Sequence, residues 1–306
     1  MMWAPDVLRQ RFSKGIMAFP ATAFLPDGAF DEGRYETHVD FLAQHQPTAL
    51  VAAGGAGEVF SLTAAEHEAV IRATVRNAAG LPVVGGAAYG TAMACEMAKV
   101  VERAGGDAVL LLPPYLVRSE QEGLLRHIRA VCASVSIAVI PYSRDNAVIA
   151  ADTLLRLAET CPNLIALKDG TGNLSSVARL KERAGDRLTI INGTPTAEVF
   201  ASQFQSIGVN SYSSAVFTFL PNLAKLFFKA LDTHDRPLTE AMLERFYKPL
   251  VELRDRKHGY AVSIVKAGLR ITGRGAGAVR MPLMDLDAEE EARLASIIAA
   301  ASEWNE

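Results

Sequence analysis

The chain has 306 residues, half of them hydrophobic, and a formal net charge of −3 at pH 7. That composition supports a large core, and it supplies no overall basic field to hold nucleic acid or an anionic membrane surface. Three unspaced cysteines, Cys95, Cys132 and Cys161, read as reduced core thiols of a cytoplasmic protein, and no run approaches the roughly 18 apolar residues of a membrane span.

The first fifteen residues carry Asp6, Arg9, Arg11 and Lys14, not the apolar block of a secretory leader. "GIMAFP" (15–20) then reads as a strand, and a polar turn leads into a helix over 34–44 with Tyr35, Val39 and Leu42 on one face. "ALVAAG" (49–54) is the second strand. The helix after it opens with a capping box, Thr63 answered by Glu66. "PVVGGAA" (82–88) and "AVLLLPP" (108–114) are the third and fourth strands, each with a helix behind it, the second of these capped by Ser119. "SIAVIPY" (136–142), "LIALKD" (164–169), "LTIING" (188–193) and "GVNSYS" (208–213) complete a set of eight, and a helical pattern follows every one.

Short strands that are apolar on both faces, alternating with helices, specify parallel βαβ units. Eight of them match the α/β class with a closed (β/α)8 TIM barrel. An open doubly wound sheet would want a glycine fingerprint in the first turn after a strand, and "FPATAFLPDG" has none. After about residue 230 the alternation stops. The expected organisation is a catalytic barrel over 1–230 and a C-terminal helical appendage over 231–306.

Barrels keep their chemistry at the C-terminal ends of the strands. Lys168 stands at such an end after an apolar run, where a lysine is either paired, here with Glu58 or Asp169, or working. In a dry barrel mouth an ammonium loses hydration, so its pKa falls and the neutral amine becomes a nucleophile able to form a Schiff base with a ketone. Tyr142 ends the neighbouring strand, a packing residue or a proton relay. Arg144 follows, with a planar fork suited to a carboxylate. "GGAGE" (54–58) offers closely spaced amides, either a plain tight turn or an anion cradle. Glu58 reads as a carboxylate that tethers loops. The six histidines (38, 45, 67, 127, 234 and 258) fall in expected helices or the tail, with no HExxH arrangement, so no metal is expected. No G-x-S-x-G elbow marks a serine hydrolase.

Taken together, "GGAGE", Tyr142, "LIALKDGTGNL" and "VRMPL" (279–283) resemble the Schiff-base-forming dihydrodipicolinate synthase / N-acetylneuraminate lyase superfamily across essentially the whole chain. The resemblance implies a small-molecule α-keto-acid substrate, no cofactor, and a homo-oligomer, dimer or tetramer. It implies an imine on Lys168, a proton relay at Tyr142, and the substrate carboxylate on the amides of Gly55 and Ala56. Gly193 and Ser211 match positions near the bound substrate. Many members carry hydroxyl residues at the places of Gly55 and Ala56, so only backbone binding survives here. In the synthase branch a second tyrosine follows the one matching Tyr115; here that place is Leu116.

"PYSRDNA", "AAGGAGEVFSLT" and "GVNSYSSAVF" resemble instead the branch of 5-dehydro-4-deoxyglucarate dehydratases. That branch implies a decarboxylating dehydration to 2,5-dioxopentanoate, with Arg144 on the distal carboxylate. A pyruvate-dependent aldolase or synthase of the same superfamily, and a non-catalytic barrel, are the alternatives.

Overall fold

The computed structural model describes residues 3–114 and 116–305. Its centre is a closed barrel of parallel strands in sequence order, β1 (Lys14–Ala18), β2 (Ala49–Ala52), β3 (Val83–Ala87), β4 (Ala108–Leu111), β5 (Ala138–Ser143), β6 (Ala166–Asp169), β7 (Thr189–Asn192) and β8 (Asn210–Ser214), with β8 pairing back onto β1. The fold class expected from the alternation is therefore present. Helices α2 (Glu32–Gln44), α3 (Ala64–Asn77), α4 (Thr91–Arg103), α5 (Gln121–Ser134), α6 (Ala151–Thr160), α7 (Leu174–Ala184), α8 (Ala201–Ser206) and α9 (Pro221–Asp232) surround it.

Local chemistry accounts for most of these boundaries. Thr63 and Glu66 close the expected capping box on α3. Ser119, expected to cap α5, does not: Glu120 holds the cap position, and the Ser119 hydroxyl donates to the Glu120 carbonyl at 3.1 Å. The segment after β7 is tighter than expected, a 3-10 turn over Ala197–Phe200 before α8.

One helix was not anticipated. Residues Pro5–Arg11 form α1, started by a proline at its first turn. Its Leu8, and Phe12 just beyond it, are fully buried in the cluster that fills the barrel interior, with Met17, Val51, Val84, Leu110, Ile140 and Ile191. A short amphipathic helix thus plugs the N-terminal end of the barrel. Asp107 fastens it there, its carboxylate accepting the amides of Trp3 and Val83, each at 2.9 Å.

Side chains alternate in and out along each strand. Inward positions on β5 are Ala138, Ile140 and Tyr142, and on β6 Ala166 is followed two residues later by Lys168. The period of two carries both polar residues into the barrel mouth.

Beyond β8 the chain forms α10 (Arg236–Met242), a π-turn over Leu243–Tyr247, α11 (Lys248–Arg254), α12 (Tyr260–Ile271) and α13 (Ala288–Ala299). Phe246, Tyr247, Leu253, Leu269 and Leu294 are buried in the same cluster as the barrel's outer shell. The change of topology near residue 230 is no break in the core. Among the described residues, no helix is long and apolar enough to cross a membrane.

Phe12→Ala removes the plug's largest fully buried side chain and is expected to cost about 3–5 kcal/mol. Urea unfolding monitored by circular dichroism measures it; a loss under about 1 kcal/mol, the level of an ordinary surface change, would show that α1 does not seal the interior.

Candidate active site

Lys168 faces inward from β6 over a floor of hydrocarbon. A void of only about 10 Å³ beneath it is bordered by Met17, Phe19, Val51, Val84, Leu110, Ile140 and Ile191. The residue is 6 % exposed. Its ammonium nitrogen sits 4.1 Å from the centre of the Tyr142 ring and 4.7 Å from that of Phe19. No carboxylate among the described residues lies within ion-pair distance of it. Burial, and secondarily the positive charge of Arg144, lower its pKa from the ordinary lysine value to about 7.

The two carboxylates placed to neutralise it are taken elsewhere. Asp169, next in the chain, points to the other face of the sheet. It accepts the amides of Thr171 and Gly172 and the Thr171 hydroxyl, between 3.0 and 3.2 Å, and so ties the "DGTG" turn to its own strand. Glu58 pairs with Lys266 of α12 at 2.7 Å, both side chains fully buried, and accepts the Arg280 amide at 2.9 Å. The pairing reading of Lys168 therefore fails, and the tethering reading of Glu58 holds.

Tyr142 is Lys168's direct neighbour in the β5–β6 register. Its hydroxyl donates to the Gly193 carbonyl at 2.6 Å and accepts from Arg144 Nη1 at 3.2 Å. Burial raises its pKa, with Arg144 opposing, so the phenol keeps its proton. This packing leaves no room at Gly193, where a Cβ would stand 2.6 Å from Lys168 Cγ and 3.0 Å from the Tyr142 ring. Arg144 is aimed by a tight turn in which the Ala147 amide donates to the Arg144 carbonyl at 2.9 Å. Asn146 binds the carbonyls of Pro114 and Val117 across the gap to the loop after β4.

Strand β2 lies four positions from β6 around the ring, on the opposite side of the mouth. There the amides of Gly55 and Ala56 donate to no acceptor among the described residues. The loop is held by Thr22, whose hydroxyl donates to the Gly57 carbonyl at 2.7 Å, and by Glu58, which stands in the left-handed region at φ 54°.

These groups share one cleft of about 260 Å³ at the C-terminal end of the barrel. Of the residues expected at the site, Lys168, Tyr142, Arg144, Gly55, Ala56 and Gly193 all line it. Ser211 does not. It sits two residues deeper along β8, its hydroxyl buried without a partner beside a separate void of about 10 Å³; Ser213, on the same face of the strand, lines the cleft instead. Thr194, Thr196 and Arg254, none of them anticipated, also line it. Tyr115 lies outside the described residues, and Leu116 beside it is 81 % exposed.

A dry, unpaired lysine facing a pair of free amides across the mouth of a parallel barrel defines a class of protein suited to imine chemistry on keto acids. The chain belongs to the dihydrodipicolinate synthetase family, whose model matches residues 12–301. It is 49% identical over 297 residues to a probable 5-dehydro-4-deoxyglucarate dehydratase of Rhizobium rhizogenes, covering 97% of this chain and 98% of that one. It is 50% identical over 297 residues to a protein of the same description from Saccharopolyspora erythraea, covering 97% and 96%. In fold it is similar to the crystal structure of dihydrodipicolinate synthase from Oceanobacillus iheyensis, with a TM-score of 0.89 at 24% identity over 98% of this chain and 100% of that chain.

Imine formation needs the neutral amine, and Lys168 loses its proton near pH 7. The rate of borohydride-trapped adduct formation with a keto acid is therefore expected to rise with pH through a midpoint near 7 and then level off. A rate still climbing at about pH 10, where an ordinary lysine titrates, would show that the mouth does not desolvate the amine.

Proposed function

We propose that the protein is a decarboxylating dehydratase that converts 5-dehydro-4-deoxy-D-glucarate to 2,5-dioxopentanoate, CO2 and water. The observation that carries this reading is the unpaired Lys168 amine facing the free Gly55 and Ala56 amides in one cleft. The names of its half-identical relatives point to the same substrate.

The C6 carboxylate binds the amides of Gly55 and Ala56, which places the adjacent C5 ketone at Lys168. Nitrogen attacks C5, and Tyr142 supplies a proton so that the carbonyl oxygen leaves as water. The resulting iminium acidifies C4. Loss of a C4 proton gives an enamine, whose electrons expel the C3 hydroxyl as a second water once it is protonated. The product is an imine conjugated through C3. The electrons of the C1–C2 bond then flow through C2, C3 and C4 to nitrogen as C1 leaves as CO2. Reprotonation on carbon, collapse of the C2 enol to an aldehyde and hydrolysis of the imine return the lysine. One water is consumed in that last step, so the net release is one water and one CO2.

We extend the reading to a homo-oligomer, dimer or tetramer. Met93, Leu116, Val117 and Val148, on or beside the loops that follow β3, β4 and β5, are exposed apolar side chains suited to burial against a second copy. Sedimentation equilibrium is expected to return two or four chains, and a monomer at micromolar concentration would remove this part.

The purified protein is expected to release one CO2 per 5-dehydro-4-deoxyglucarate consumed. Lys168→Ala is expected to abolish turnover, and Tyr142→Phe to slow it by about 10²–10⁴. Cleavage to pyruvate with no CO2 released would instead identify an aldolase.

A further inference from the structure

The mechanism above uses one end of the substrate closely and leaves the other loosely held. The cleft contains a second arginine that no part of that scheme employs. Arg254 ends α11 and reaches the mouth from the side of β7, whereas Arg144 reaches it from β5, so the two flank Lys168 on β6.

Their surroundings differ. Arg144 spends Nη1 on the Tyr142 hydroxyl and Nε on Asp145, at 3.2 and 2.9 Å. Its charge bears directly on Lys168. It is thus coupled to the reacting amine and its relay. Arg254, with a side chain 15 % exposed, is gripped from outside by Asp255, which takes Nε at 2.7 Å and Nη2 at 3.0 Å. Its Nη1 donates to the Thr196 hydroxyl at 2.5 Å, inside the cleft. The second hydrogen on Nη1 is left for a ligand.

Thr196 adds an independent observation. It is a β-branched residue held at φ 49°, a left-handed conformation that such residues avoid. Strain of this kind persists only where surrounding contacts over-determine it, and it gathers at ligand sites. The contacts are present: Asn192 Nδ2 donates to the Ala197 carbonyl at 3.1 Å, and Ser214 donates to the buried Glu198 carboxyl. The chain is bent to put this hydroxyl beside Arg254, with Thr194 also on the cleft wall.

We infer that Arg254, oriented by Asp255 and flanked by Thr196, binds the carboxylate farthest from the ketone and selects dicarboxylic over monocarboxylic keto acids. Arg144 is then a positioning residue for Tyr142 and Lys168, in place of the distal-carboxylate role expected from the sequence. The inference rests on the reading of Lys168 as the imine-forming residue and deepens it by naming the determinant of substrate class.

The test compares borohydride trapping of 2-oxoadipate, a six-carbon keto diacid with no hydroxyl to eliminate, with that of 2-oxohexanoate, its monoacid counterpart. The readout is the ratio of half-saturating concentrations, with the adduct located on the peptide carrying Lys168. The wild-type protein is expected to favour the diacid by on the order of ten- to a hundredfold, the worth of a charged hydrogen bond. Arg254→Gln is expected to bring the ratio near one, and Arg254→Lys to restore part of it. Arg144→Gln is expected to weaken both ligands together and leave the ratio standing. Because a ratio cancels general damage to the fold or to the amine, a ratio that survives in Arg254→Gln, or collapses in Arg144→Gln instead, overturns this inference alone. Wild-type protein that forms no adduct with either acid overturns the imine reading, and this inference with it. The dehydratase reading stands or falls separately on CO2 release.

Discussion

Everything at this site follows from the cost of holding an ammonium over hydrocarbon. The barrel closes with apolar side chains layered inside it, and α1 seals the lower end, so no water column rises beneath Lys168. The amine answers by giving up its proton near pH 7. The same fact sets a stability term. Because the folded pKa lies below the unfolded one, charging Lys168 penalises the folded state. The penalty is present in full below about pH 7 and is relieved as pH rises toward the ordinary lysine range. The protein carries a standing destabilisation at its centre, and with it an amine that titrates near pH 7.

Keeping that lysine unpaired requires that nearby carboxylates be occupied, and the C-terminal helices do much of this. Lys266 of α12 neutralises Glu58 in a fully buried pair, and Ala278 accepts from Lys266 at 2.7 Å. Removing one partner of such a pair strands a buried charge and costs about 3–5 kcal/mol. Arg280 adds a second tie, from its guanidinium to Glu66 and to the carbonyls of Gly28 and Ser61. Both ties fasten the segment that follows Gly55 and Ala56, at Glu58, Ser61 and Glu66. The region after residue 230 is therefore part of the wall of the cleft: it holds the Gly55–Ala56 loop on one side and delivers Arg254 on the other.

The barrel was legible because eight apolar runs alternated with helical periodicity, and Lys168 because a lysine that closes an apolar strand, at the end where barrels keep their chemistry, is either paired or working. Tyr142, Gly55, Ala56 and Gly193 follow from the same strand-end rule with the superfamily resemblance beside it. What escaped depends on packing between distant segments. Pro5–Arg11 is too short to show a period, and its meaning is the barrel end it plugs. Ser211 and Ser213 share one face of β8, so no alternation pattern separates them; only depth along the barrel does. Lys266 lies in "GYAVSIVKAGL", a stretch whose helical pattern gives no sign of its buried partner Glu58, which is far away in the sequence. Arg254 lies in a stretch of helix whose periodicity reports only its buried face. The acid that grips it is its immediate neighbour, a spacing that carries no signal at all.

The proposed roles of the two arginines bear on how one cleft could be suited to both dehydration and decarboxylation. A carboxylate that must leave as neutral CO2 is held back by a full positive charge, since an ion pair stabilises the starting anion more than the departing gas. Under the proposed role, Asp255 bears on this constraint: its carboxylate pairs with Arg254 at both Nε and Nη2, at 2.7 and 3.0 Å, and fixes the direction of the guanidinium. Around it the cleft is lined by Leu250, Val262 and Ile264, which do nothing to favour a carboxylate over CO2. Arg144 carries no such requirement. Asp145 takes only its Nε, and the guanidinium lies beside the Tyr142 hydroxyl and lowers the pKa of Lys168. Under the proposed roles, Arg254 orients the carboxylate that leaves and Arg144 orders the groups at the end that reacts, a division suited to a decarboxylating dehydration on a single lysine.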